Sequence, residues 1–444
     1  MRQVLRWLYP GLHIKRWMFL FSVGILILVF GATMAVNYQL FGFLEEGLFR
    51  TVYVLTGSYN YTMLAVTGLI LIGVGGCIMA FSMRKLVKRF LELVMPDQSQ
   101  VSDQVISRLM LSRGPAVAAI GGGHGLSMLL RGLKKKTSNL AAIVTVADDG
   151  GSSGRLRNEL NIIAPGDLRN CLVAMADKET VLEKIFQYRF GGKGELAGHS
   201  LGNLFLAALM EEFGDEEKAL EAVSKVLNVR GEVIPSTLDE VRLSAVMSDG
   251  KVVVGESEIA AYPARIVHLS TIPAAPRAVP DAVEAIRKAD LVTLGPGSLY
   301  TSILPNLLVP DILKAIRESH APCLYICNVM TQPGETDGYT VSEHLKALVS
   351  HVGKGVIDFV LVNDGMPAPD VLHRYAEAGA WPVRIDEEEV RRLGVTLIRA
   401  DLLGKARGAV HDAGVLADEV VRIRDLLRSN IEPDILYAYL ERAK

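Results

Sequence analysis

The sequence predicts an α/β protein: a mostly parallel sheet flanked by helices, broken by a small antiparallel excursion and preceded by two transmembrane helices. Three observations carry that expectation. Short apolar runs of β character end repeatedly in glycine clusters and lead into helical spacings, the pattern of βαβ units. One hairpin signal, Asp249-Gly250 between two β-type runs, interrupts the alternation. Two long apolar runs, residues 18–36 and 63–83, stand near the N-terminus.

The N-terminal runs come first in the chain. With 444 residues there is enough chain for a large core plus an accessory region, and a mean hydropathy of +0.28 is high for a purely soluble protein. Spans at about 18–38 and 63–83 are each long enough to cross a bilayer as a helix. A cleaved signal peptide fits less well, because a second run follows the first without a clear small-residue cleavage site. Arg2, Arg6, Lys15 and Arg16 precede the first run, and Arg84, Lys85, Lys88 and Arg89 follow the second. Glu45, Glu46 and only Arg50 lie between them, so the positive-inside rule places both termini and the large domain in the cytoplasm, at the cell membrane. Neither span carries an ionisable residue, which points to anchoring rather than transport. Trp7, Tyr9 and Trp17 suit the interface, and Gly73, Gly75 and Gly76 would permit close helix packing. Residues 1–90 are therefore expected to be an anchor and 91–113 a connector.

The rest of the chain is organised around residues 117–154. A buried strand (117–120) runs into Gly121, Gly122, Gly123, His124 and Gly125, then a helix (126–136) and a second strand (141–147). Glycines let the backbone turn sharply and approach a ligand, and the next helix points its positive end at it. The spacing is not G-x-G-x-x-G, and no Walker lysine follows. The second loop begins Asp148-Asp149-Gly150-Gly151-Ser152. Paired carboxylates there can hold a metal such as Mg²⁺, accept hydrogen bonds from ligand hydroxyls, or act as acid and base; the alternative is a cap for a helix starting near Arg155. Two such loops would line the edge of a Rossmann-like sheet.

Further elements follow in order. Pro165-Gly166-Asp167 is ordinary helix-start chemistry, and Arg169 and Asn170 would fall near the same edge, with Arg155 and Arg157 beside them. Residues 180–228 read as helices. The hairpin at 241–254, a strand at 265–269, a helix at 276–288 and a strand at 290–294 come next. That strand ends at Gly295-Pro296-Gly297-Ser298, a third strand–glycine–helix junction and a good anion nest. Strands are expected at 323–329, 359–362, 382–385 and 395–399, and a helix at 341–352. The tail, 409–444, is helical, either packed on the core or used in association. Cys77, Cys171, Cys323 and Cys327 are too few and too scattered for a disulfide scaffold, and no zinc motif is present. A net charge of −2 gives no case for nucleic-acid binding.

Several motifs carry a resemblance. Gly121-Gly122-Gly123-His124-Gly125-Leu126-Ser127, Asp148-Asp149-Gly150-Gly151-Ser152-Ser153-Gly154, Pro165-Gly166-Asp167-Leu168-Arg169-Asn170, Gly198-His199-Ser200-Leu201-Gly202-Asn203 and Met330-Thr331-Gln332-Pro333-Gly334-Glu335-Thr336 resemble the gluconeogenesis-factor family (YvcK-type). That family is related to the CofD-type 2-phospho-L-lactate transferases. The likeness spans about 116–403, within an expected domain at 114–408. It implies binding of a UDP-sugar such as UDP-N-acetylglucosamine, a link between carbon metabolism, envelope synthesis and cell shape, homo-oligomers and envelope-synthesis proteins as partners. The related branch implies a Mg²⁺-dependent transferase using a nucleotide-activated donor. The resemblance assigns ligand contact to His199, Ser200 and Asn203, and with the glycine junctions it gives a site of Gly121–Gly125, Asp148, Asp149, Ser152, Arg169, Asn170, Gly295, Gly297, Ser298, Asn328 and Thr331. Asp148 and Asp149 are the candidates for catalysis and for Mg²⁺. His124 stands where the family usually has threonine.

Overall fold

The structure, a computed structural model, describes residues 14–36, 46–47, 50–51, 53–54, 57, 61–94, 109–177, 181–403 and 408–429. The expectations for Trp7, Tyr9, Arg2, Arg6 and Glu45, most of the connector, and the end of the tail lie outside them. The chain divides into two compact units, Met1–Ser107 and Arg108–Lys444.

The first unit contains α1 (Ile14–Val36) and α2 (Tyr61–Val94). Both are long and apolar enough to cross a membrane, over Arg16–Ala35 and Ala65–Arg89. Glycines seven residues apart on each helix, Gly24 and Gly31 against Gly75 and Gly68, bring the backbones together. A Cβ on Gly68 would stand 2.6 Å from the Gly31 carbonyl oxygen, and one on Gly75 would stand 2.9 Å from that of Gly24. Of the three glycines expected at this seam only Gly75 is there. Gly73 and Gly76 point away from α1 and meet nothing within 4 Å.

The second unit is built on a seven-stranded parallel sheet in the order β10-β9-β8-β7-β1-β2-β3. In chain order its elements are β1 (Val117–Gly121), α3 (Gly123–Leu133), β2 (Leu140–Val144), α4 (Gly151–Leu160), α5 (Pro165–Met175), α6 (Val181–Gln187), α7 (Leu201–Phe213), α8 (Glu216–Leu227) and β3 (Glu232–Pro235). The excursion follows: β4 (Arg242–Met247), β5 (Val252–Val254), α9 (Glu256–Ala261) and β6 (Ile266–Ile272), whose strands form the separate antiparallel sheet β5-β4-β6. The chain then returns through α10 (Pro280–Lys288), β7 (Leu291–Leu294), a π-helical turn (Leu299–Ile303), α11 (Leu304–Leu307), α12 (Pro310–Glu318), β8 (Cys323–Ile326), α13 (Val341–Val352), β9 (Phe359–Asn363), α14 (Pro369–Glu377), α15 (Glu387–Arg392), β10 (Thr396–Ala400) and α16 (Ala413–Arg428).

The alternation of β1 sorts the core into two layers. Val117 and Ala119 face one apolar cluster, with α3, α5, α7 and α16. Ala118 and Ile120 face the other, with α10, α12, α13 and the inner side of the small sheet. The described part of the tail packs on the core: Leu416, Ala417, Val420 and Ile423 are buried, and a side chain at Gly132 on α3 would strike α16 at Ala413 and Ala417.

Three local expectations are corrected. The second strand ends at Val144, three residues early, and the helix after the first glycines begins at Gly123. Residues 382–385 make only single bridges, Met330 to Pro382 and Thr340 to Arg384, because Pro382 has no N–H to extend a ladder. β3 was not expected at all; it is four residues long and ends in proline, too short to show a period.

Candidate functional site

The three glycine junctions follow β7, β1 and β2, which are neighbours in the sheet. All three strands are parallel, so the loops share one carboxyl edge. From β1 the chain moves outward to β2 and β3, then returns to add β7 on the other side. The β1/β7 boundary is thus the topological switch point, where open α/β sheets form their binding crevice. The two loops flanking it touch through main chain: a Cβ on Gly125 would stand 2.5 Å from the Pro296 carbonyl oxygen. Gly123 opens α3 at φ +64, a conformation that favours glycine.

Side chains pin these loops from below. Wholly buried Asn306 donates from Nδ2 to the carbonyls of Gly121 (3.1 Å) and Ser302 (2.7 Å). Asn328 clamps Gly297, accepting its N–H at 3.2 Å and donating to its carbonyl at 2.8 Å. The Ser298 hydroxyl lies 2.9 Å from the buried Glu335 carboxylate. Thr331 is turned elsewhere: its backbone N–H and its hydroxyl oxygen both bond to the main chain of Trp381. His124 is exposed on the first turn of α3.

The two adjacent aspartates have different jobs. Asp149 caps α9: its carboxylate accepts the N–H groups of Glu256 and Ser257 and the Ser257 hydroxyl, each at 2.9 Å. The capping expected within its own loop is not made: that helix starts at Gly151 rather than near Arg155, its N-cap Gly150 receives no side-chain cap, and Asp148 accepts only the Gly150 N–H, at 2.9 Å, in the turn before it. Asp148 also faces Asp167, an acid that sequence reasoning treated as a helix-start residue. Asp167 lies against Gly122, where any Cβ would collide with it, and the Gly123 N–H donates to it. Burial, then the charge of Asp148, push the Asp167 pKa up to about 7. Burial, then Asp148 and Asp167, push Glu256 up to about 9, and its Oε2 is buried without a hydrogen-bond partner. Asp148, Asp167 and Glu256 therefore form an electrostatically strained acidic group beside the first glycine loop. Among the described residues no three His, Cys, Asp or Glu side chains are placed to enclose a metal ion.

Six expected site residues meet in one buried network behind α4. Arg169 donates from Nη1 to the Ser200 hydroxyl and to Asn203 Oδ1 (2.8 Å), and from Nη2 to Asn170 Oδ1 (2.6 Å). Asn203 Nδ2 donates to the Ser152 hydroxyl oxygen at 3.0 Å, and Ser152 Oγ lies 3.0 Å from His199 Nδ1. Ser200 caps α7 by accepting the Asn203 N–H. Burial, then the facing Arg189, lower the Arg169 pKa to about 10, so it stays charged at neutral pH. Arg155 and Arg157 are engaged with carbonyls, of Ala197 at 2.7 Å and Val241 at 2.5 Å. Sequence reasoning missed Asp167, Glu256, Asn306 and Glu335 as site residues. The available signal was that Asp167, Glu256 and Glu335 each directly follow a glycine, Gly166, Gly255 and Gly334.

Comparison with known proteins fits this geometry. Residues 117–403 match the family model described as 2-phospho-L-lactate transferase CofD, which defines the class as a CofD-type α/β domain. The gluconeogenesis factor of Bacillus subtilis (strain 168) is 49% identical over 319 residues, matching all of that protein with 72% of this chain; the rest of this chain has no counterpart there. A relative in Nostoc sp. (strain PCC 7120) is 45% identical over 406 residues, covering 90% of this chain and 88% of its own. The chain belongs to the gluconeogenesis factor family. A crystal structure of a UPF0052 family member from Bacillus halodurans, 48% identical, superposes with a TM-score of 0.66 over 69% of this chain and 98% of that one.

Proposed function

We propose that the protein is a membrane-anchored regulator that binds a UDP-sugar, UDP-N-acetylglucosamine, and links carbon metabolism to envelope synthesis and cell shape. One observation carries the reading: three glycine junctions stand side by side at the switch point of a parallel sheet. Their backbone N–H groups suit a diphosphate, and the polar groups around them suit a hydroxyl-rich sugar. The α1–α2 hairpin serves as anchor, with the second unit in the cytoplasm. The test is calorimetric titration of the full chain in lipid nanodiscs with UDP-N-acetylglucosamine. Heat of binding, with a rise in melting temperature of the second unit, is the expected result. No signal at millimolar ligand would overturn the reading.

A Mg²⁺-dependent transferase acting on a nucleotide-activated donor is favoured by the acidic group alone. Magnesium takes one or two carboxylates together with phosphate oxygens, and Asp148 and Asp167 supply such a pair next to the glycine loop. When bound it would supply positive charge that offsets their repulsion. Asp149, held by three donors of α9, is not free for that role. Conversion of a nucleotide-linked donor by the parent chain, lost in Asp148→Asn, would establish this second reading over the first.

A further inference from the structure

A groove of about 710 Å³ runs along the outer edge of the main sheet, far in sequence from the glycine junctions. Its floor is β3, the terminal strand, and its wall is one side of α8, with Asp281 of α10 closing it. The edge is open. The Ser236 N–H donates to the Val144 carbonyl at 2.8 Å, so by the alternation of a parallel ladder Ile234 also turns its peptide groups towards β2. Val233 then turns its N–H and carbonyl outward into the groove, and Pro235 adds a carbonyl without a donor. An exposed edge beside a helix is the geometry in which an extended segment adds as a further strand.

The charges select the partner. Lys218 and Lys225 are already paired on α8, with Asp215 at 2.9 Å and Glu221 at 2.5 Å. Glu217, Glu232 and Asp281 line the groove with no basic partner among the described residues. Glu217 and Asp281 repel one another across it; burial, then Asp281, raise the Glu217 pKa. Val233 packs in the layer of α8 and Ile234 in the layer of α10, so an added strand would turn one set of alternate side chains towards Glu217 and the other towards Glu232 and Asp281.

We propose that the β3–α8 groove is a docking site for an extended, basic peptide segment of a partner protein, which adds to the sheet beside β3 and sets lysine or arginine side chains against Glu217, Glu232 and Asp281.

The test uses the full chain in nanodiscs and a short, blocked, fluorescent peptide of repeated Lys-Lys-Val-Val, which places lysines on both faces of an added strand. Saturable anisotropy binding is expected, together with slowed hydrogen exchange at the Val233 amide. Methylating alternate peptide nitrogens should abolish binding, and a glutamate–valine peptide should not bind. The pair Glu217→Gln and Asp281→Asn, which keeps side-chain size, should weaken binding by about tenfold. Absence of binding overturns the proposal. So does binding that survives nitrogen methylation or leaves Val233 unprotected, since either would mean charge attraction without strand addition. An unchanged affinity in the double variant also overturns it.

Discussion

The Asp149 carboxylate holds Ser257 through both its backbone N–H and its hydroxyl, each at 2.9 Å, across 108 residues of sequence. This bond ties the loop after β2 to the start of α9, and so joins the main sheet to the antiparallel excursion. It also divides an adjacent pair of acids into one structural residue and one that faces the glycine loop.

Asp149→Ala should therefore act on stability before it acts on binding. Loss of the anionic cap should lower the unfolding free energy of the second unit by about 1–2 kcal/mol, read by urea denaturation. Unchanged stability with complete loss of ligand binding would refute the capping role.

The acidic group predicts a pH dependence of definite sign. Asp167 has a folded pKa of about 7 against 3.8 unfolded, and Glu256 about 9 against 4.5. The folded state thus holds protons that the unfolded state has released, so stability contributed by the protonated forms is full at low pH and declines as pH rises. The decline should run from near pH 4 to near pH 7 for Asp167 and continue towards pH 9 for Glu256. Asp167→Asn should flatten the lower part of that slope and raise the melting temperature at pH 8. A slope equal to the parent's would show that Asp167 is not the titrating group.

Arg169→Lys keeps the charge but not the planar fork that reaches Ser200, Asn203 and Asn170 together. A loss of about 2–3 kcal/mol is expected, with α7 loosened and hydrogen exchange quickened at the Asn203 amide. A variant as stable as the parent would mean that the network is replaceable by a point charge.

In the first unit, Gly68→Leu and Gly73→Leu make a matched pair. The first places a side chain against the Gly31 carbonyl, and the second points into open space. Only Gly68→Leu should separate α1 from α2 in detergent, as reported by distance measurement between spin labels, with a cost of order 1–2 kcal/mol. Equal effects would refute the glycine seam.

These residues also show what could be read from sequence. The glycine junctions were legible because turn, strand end and helix start lie within a few consecutive residues. The seam between α1 and α2 was only half legible. In a uniformly apolar helix nothing in the pattern marks the partner-facing side, so Gly75 was expected with Gly73 and Gly76, while Gly68 was overlooked. The role of Asp149 was hidden for another reason: its partner is distant in sequence and no local period encodes the meeting. The raised Asp167 pKa depends on burial beside Asp148 and Gly122, which only the packed sheet creates.

The place of β1 has a consequence for the order of synthesis. The strand acquires β2 almost at once, but its other neighbour arrives far later: the Ala116 N–H is satisfied by Asp290, across 174 residues. Until the ribosome has delivered β7, β1 presents an apolar, unpaired edge, the kind of surface that recruits other chains. The β1/β7 boundary thus stays open throughout the synthesis of residues 122–290, and only then can β8, β9 and β10 extend the sheet beyond it.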